Sequence, residues 1–276
     1  MTKTLSVLFS IIIFSLIPFA FADSTRDNNL EFAGTLEETL GHFWALEQNL
    51  DDNNSELALI HATHPISELY DTMSGYLQDN PEFDKKLQST LMDLKNQANT
   101  DVDIADAKLA IDSAKEVIQE ARDIVVASDL SDEPEFQLQL INALLETAKV
   151  EYHEAITDGQ ISEMAEFQDG SAFVWRSQQI FVGFESILNA EDYQRITELF
   201  DTVWSDFDNL SSPDDMEISI DAIISEFEEQ SGYSSVESSH NEEAENMAHK
   251  TSEDKTSEDK TSEDKTSHAS DEKSSH

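Results

Sequence analysis

Cysteine is absent from the 276 residues, while glycine occurs 7 times and proline 5 times. Without cysteine the chain has no disulfide, no thiolate nucleophile and no Cys-ligated zinc or iron–sulfur cluster. Glycine and proline stand below their usual shares of about 7% and 5%, which argues against a turn-dense all-β fold. Positive charge is scarce as well: 16 Lys and Arg face 59 Asp and Glu, a formal charge of −43. Such a chain suits neither nucleic acid, whose phosphates reward clustered Lys and Arg, nor anionic lipid. It also lacks a Gly-rich phosphate loop, a G-x-S-x-G elbow and an H-E-x-x-H helix. No spacing of Ser and His supports a nucleophile with its base, and no enzymatic role is expected.

The one long apolar run lies at the start. Lys3 supplies a positive n-region, Leu5 to Ile17 an h-region, and Ala20-Phe21-Ala22 an A-x-A cleavage site. The run falls short of the ~20 residues a spanning helix needs. Residues 1–22 therefore read as a signal peptide. The mature chain is expected to be secreted or extracytoplasmic, in a periplasm-like space or at the cell surface, without a membrane span.

Residues 233–276 are a different material, built on Lys-Thr-Ser-Glu-Asp repeats starting at Lys250, Lys255 and Lys260. Apolar residues almost vanish there, so nothing offsets the entropy of ordering, and a disordered tail is expected. Residues 23–232 carry 47 acids against 10 bases, a formal charge of −37, so most of the negative charge belongs to the part expected to fold.

That part reads as helix after helix. Phe32, Leu36, Leu40 and Phe43 share one face, and Asn53-Asn54-Ser55 is a turn whose Ser can cap the next helix. Pro81, Pro134 and Pro213 sit where first helical positions are expected. Asp158-Gly159 ends a helix through a left-handed glycine, Ser162 caps a long segment through Ile187, and Asn189 starts another. No run shows the alternation of a half-buried strand. The expectation is an all-α helical bundle of about eight helices. The gap before Pro134 divides it into two sub-bundles, residues 23–130 and 131–232.

Two constellations could carry chemistry. Leu57, His61, His64 and Glu68 fall at i, i+4, i+7 and i+11, and His42 stands on the preceding helix. Two imidazoles one turn apart with a carboxylate are a ligand set for iron, copper or zinc in bundle cores. Pro65 opposes this, since it biases His64 away from helical geometry. The alternative keeps His61 as a core hydrogen-bonding residue and His64 as a turn residue. The second constellation gathers Glu151, Glu154, Glu163, Glu166 and Asp169 around the Gly159 corner. These carboxylates could bind a hard or borderline cation or form a solvated acidic face. The Trp and Phe residues at helical spacing read as core.

The run Glu151-Tyr152-His153-Glu154-Ala155-Ile156, the turn Asp158-Gly159-Gln160-Ile161 and the start Glu163-Met164-Ala165-Glu166-Phe167 together resemble a known family. It is the extracytoplasmic helical domain that accompanies bacterial high-affinity iron permeases. The resemblance covers about forty residues, Leu144 to Phe184. It implies a module connected with iron handling, with a role carried onto Glu151, Glu154, Glu163, Glu166 and Asp169. It also implies a membrane iron permease, or another envelope protein, as partner. The chain departs from the permeases in having no membrane domain with their acidic motifs, so it is not expected to transport by itself.

The reading is a secreted helical protein that captures or buffers iron (or copper) outside the cell. The imidazoles would form one site and the carboxylates another. The alternative is a non-catalytic envelope scaffold or protein-interaction module with no metal.

Overall fold

A computed structural model describes residues 17–98 and 103–231. The expected tail and the first 16 residues of the expected signal peptide lie outside the described residues. The expected cleavage point after Ala22 falls inside the first helix, α1 (Ile17–Asp51). The fold is all-α. It continues as α2 (Ser55–His64), α3 (Tyr70–Tyr76), α4 (Pro81–Gln97), α5 (Ile104–Val125), the short α6 (Ser128–Ser131), α7 (Pro134–Ala155), α8 (Met164–Val182), α9 (Ala190–Asn209) and α10 (Pro213–Ser231).

The helix starts follow local chemistry. Proline occupies the first turn of α4 and α7, where its missing N–H costs nothing. Asp103 and Asn189 cap α5 and α9 by accepting bonds from backbone N–H groups of the first turn.

Four local expectations need correction. Asn54, not Ser55, caps α2, its side-chain oxygen Oδ1 accepting from the Leu57 N–H. Pro65 does not break the helix after His64. His64 keeps helical angles (φ −53°, ψ −47°), and Pro65–Leu69 form a π-helical turn that runs into α3. The wider turn absorbs the bond that proline cannot donate.

The third correction concerns Asp158 and Gly159, which form a hairpin turn rather than a helix C-cap. Both have positive φ (53° and 71°), as a type I′ turn requires, and they join β1 (Ile156–Thr157) to β2 (Gln160–Ile161). Finally, Ser162 caps nothing. Its hydroxyl donates back to the Ala155 carbonyl, and α8 tightens into a 3₁₀ turn at Gly183–Ser186 instead of running to Ile187.

Two apolar cores result. One collects α1 to α5 with Phe136 and Leu140 of α7 around Phe32, Phe43, Leu46, Leu87 and Ile111. The other collects α7 to α10 around Tyr152, Phe181, Phe200, Ile220 and Phe227. Each such fully buried side chain contributes about 1.5–3 kcal/mol. The cores touch: Ile180 packs against both, and α1 lies against α7 and α8. At that seam Trp44 and Trp175 stack, ring centroids 5.1 Å apart. Among the described residues, no helix is long and apolar enough to cross a membrane.

Candidate metal centre

Three helices meet at one point of the seam. α1 brings His42, α2 brings His61 and His64, and α8 brings Asp169. Two glycines permit the approach. A Cβ on Gly41 would lie 2.8 Å from the Phe173 ring, so α1 can press on α8 only because that atom is missing. Next to Asp169, a Cβ on Gly170 would meet the Ala148 carbonyl at 3.3 Å and the Tyr152 nitrogen at 3.4 Å, which marks a tight α7–α8 crossing.

The four side chains are withdrawn from water. Asp169 is 1% exposed, His61 0%, His42 4% and His64 12%. Asp169 Oδ1 accepts from His61 Nδ1 at 3.0 Å, and Oδ2 from His64 Nδ1 at 2.9 Å. His42 Nδ1 also reaches Oδ1, at 2.7 Å. That contact is misaligned for a hydrogen bond, so this buried ring nitrogen has no hydrogen-bond partner. Such orphaned atoms are rare in a fold and call for an explanation. One ligand atom from each of the four residues can be chosen so that all lie within 4.8 Å of one another.

A second layer holds the first. His61 Nε2 lies 2.7 Å from Gln168 Oε1, and that oxygen is fixed by the Asn49 amide, which donates to it at 2.8 Å. The His42 ring stands edge-on to Phe173, centroids 5.2 Å apart. One turn before His42, the half-buried Glu38 accepts from the Thr147 hydroxyl at 3.1 Å.

The electrostatics follow from this packing. Burial alone would raise the Asp169 carboxyl, but the three imidazoles outweigh it and hold the group well below the usual carboxylate range. For His64, burial pushes down, while the bond to Asp169 and the charges of Asp169, Glu68 and Glu166 raise it above its ordinary value. Burial pushes Glu38 up, partly offset by the Thr147 bond and the His42 charge. Glu151 is pushed up to about 8, first by burial, then by its hydrogen bond with Glu166 and the charges of Asp169, Glu166 and Glu154.

The two constellations of the sequence are thus joined through Asp169, which leaves the carboxylate corner and enters the histidine cluster. Glu151 and Glu166 pair beside it. Glu68 is exposed at the rim, its Oε1 3.7 Å from His64 Nε2. Glu154 and Glu163 are exposed, and Glu163 caps α8 without a side-chain bond. The sequence does not mark Asn49 or Glu38; no local signal sets apart a buried amide or a half-buried acid on a long amphipathic helix.

Three imidazoles and one carboxylate are donors suited to a borderline transition-metal ion. Second-layer bonds of the kind Gln168 makes orient such ligands. No curated protein and no solved structure matches the chain. Residues 127–234, which include α7 to α10 and with them Asp169, match the family model of the iron permease-associated 4-helix bundle domain.

Proposed function

We propose that the chain is an extracytoplasmic metal-capture protein. It holds an iron or copper ion as cargo through His42, His61, His64 and Asp169 and serves iron uptake beside a membrane iron permease. The observation that carries this reading is the convergence of four buried donors on one point, with His42 Nδ1 left without a hydrogen-bond partner. A metal ion would give that atom a partner and replace the protons shared with Asp169. The match of residues 127–234 supports the iron context. The excess of acidic residues would raise the local concentration of cations, and the N-terminal sequence supports export. The role is carriage or buffering, not catalysis. The scaffold reading lacks a comparable observation, since the exposed large apolar residues, such as Met92, Leu109, Val150 and Ile218, are spread over several helices.

The test is metal titration of the mature chain, purified without a histidine tag, beside a chain ending at residue 232 and the His61→Ala/His64→Ala double variant. The reading requires one equivalent of iron or copper that survives tail removal and is lost in the double variant. Absence of tight binding in every form overturns it. Full binding in the double variant moves the site to Glu151 and Glu166.

A further inference from the structure

Residues 23–232 hold only 10 basic side chains, yet three of them, Lys115, Arg122 and Arg176, line a single cleft of about 390 Å³ between α1, α5, α7 and α8. Glu37 of α1, 3% exposed, forms its floor. One carboxylate oxygen of Glu37 accepts from Arg122 Nη2 and the other from Arg176 Nε. Both guanidiniums are mostly buried, with side chains 12% and 24% exposed. Among the described residues they make no other hydrogen bond or ion pair, so most of each fork's N–H groups remain unclaimed. Gln119 and Gln137, whose amides donate to Asp123 and to the Ser131 carbonyl, and Gln179 complete the wall.

Among the mostly buried groups the charges do not balance. Two buried cations share one buried anion. Lys115 is already neutralised by Glu47 at 2.8 Å, and Asp132, also on the lining, is exposed and pairs with neither arginine. Neither arginine has a nitrogen that is both buried and without a hydrogen bond, so the unclaimed N–H groups open onto the cleft. With Glu47 and the exposed Asp132 counted, three acids meet three bases at the cleft; among the mostly buried groups alone, two cations face one anion.

We propose that the cleft is a binding site for a small monocarboxylate anion. A planar carboxylate matches the bidentate geometry of a guanidinium fork, and one negative charge would match the second guanidinium that Glu37 leaves without an anion of its own. The surrounding acidity disfavours anions of higher charge. The volume lies near the lower end of the range for small-molecule sites, which suits an organic acid of a few carbons. Glu37 acts as a clamp that fixes both arginines before the ligand arrives, so little side-chain entropy is lost on binding.

Calorimetric titration of the metal-free mature chain with acetate, lactate, citrate and inorganic phosphate, at constant ionic strength, tests this. Saturable one-to-one uptake of acetate or lactate is expected, with citrate and phosphate weaker. Arg176→Lys keeps the charge but loses the fork, and should weaken binding by about tenfold or more. His61→Ala/His64→Ala should leave it unchanged, which separates this site from the metal centre. Should Arg176→Lys fail to fold, the Nε–H NMR resonance of Arg176 in the unsubstituted chain must shift saturably with acetate. No saturable carboxylate binding, equal affinity in Arg176→Lys, tighter binding of phosphate or citrate, or an unmoved Arg176 resonance would each overturn the proposal.

Discussion

His42 Nδ1 lies 2.7 Å from Asp169 Oδ1, yet the two are misaligned for a hydrogen bond. The pair joins α1 to α8 across the seam of the two cores, and it leaves one acceptor oxygen crowded by two rings, those of His42 and His61. Asp169→Asn keeps the shape and removes the charge. It is expected to abolish stoichiometric metal uptake in titrations at neutral pH while the far-UV spectrum stays helical.

Metal ligands must be deprotonated, so protons compete with the cation. Asp169, together with Glu68 and Glu166, raises the proton affinity of His64 above the ordinary histidine value. Affinity for iron or copper should therefore fall as pH drops through neutrality, starting above the range of a free histidine. Titrations between pH 5 and 8 check this, and a flat profile would remove His64 from the ligand set. Gln168→Ala, which frees the His61 ring to turn, should cost about 10–100-fold in affinity.

Glu151 gives a pH effect on stability of opposite origin. Its folded value, about 8, lies above the ordinary glutamate value of 4.5, so the folded chain binds more protons between those limits than the unfolded one. Its contribution is fully present below about pH 4.5 and is lost as pH rises through 8. Glu151→Gln should raise the melting temperature at pH 8 and leave it nearly unchanged at pH 4.5. Equal shifts at both pH values would dismiss the Glu151–Glu166 pair as the source.

Gly41→Ala sets two effects against each other. Alanine in a helix interior gains up to about 1 kcal/mol over glycine. Here the new methyl would sit 2.8 Å from a buried Phe173 ring atom, and that ring also packs on His42. Overpacking costs about 1–3 kcal/mol, so a net loss of stability is expected in denaturant unfolding, along with weaker metal binding. The same change at Gly75, with nothing within 4 Å of the added atom, should be harmless.

Glu37→Ala leaves two mostly buried guanidiniums without their shared anion. The expected loss is about 3 kcal/mol, the lower end for a broken buried pair because Arg176 keeps 24% of its side chain in solvent. Chemical denaturation measures it. Added acetate should restore part of the loss if the cleft takes a carboxylate.

Much of the helical order was legible because it rests on local chemistry. Pro81, Pro134 and Asn189 mark starts through backbone geometry and side-chain caps that act within one turn. The π-helical turn was not, because Pro65 viewed locally only argues against a helix, and the packing that keeps His64 helical comes from distant segments. Asp158-Gly159 satisfies both a helix end and a two-residue hairpin; short flanking strands left no alternation to decide between them. The histidines were visible through their spacing on α2. Their convergence with Asp169 was not, because the partners are 105 residues apart in sequence or more, and sequence period carries no information on which helix faces meet. The Glu37 clamp was hidden for the same reason: its arginines come from α5 and α8.

The histidines belong to helices built around one apolar core, and the aspartate to a helix built around the other. A cation held by all four would add a tie between two cores that already share α7 and touch through apolar contact and a few polar bridges. Ligand bound to the folded state alone adds stability in proportion to the logarithm of its concentration, and here that gain falls on the joint rather than on either half. Such a joint would be firmer in the loaded protein than in the empty one. Cargo status would thus be written into the stiffness of the whole molecule, where a partner far from the ion can sense it.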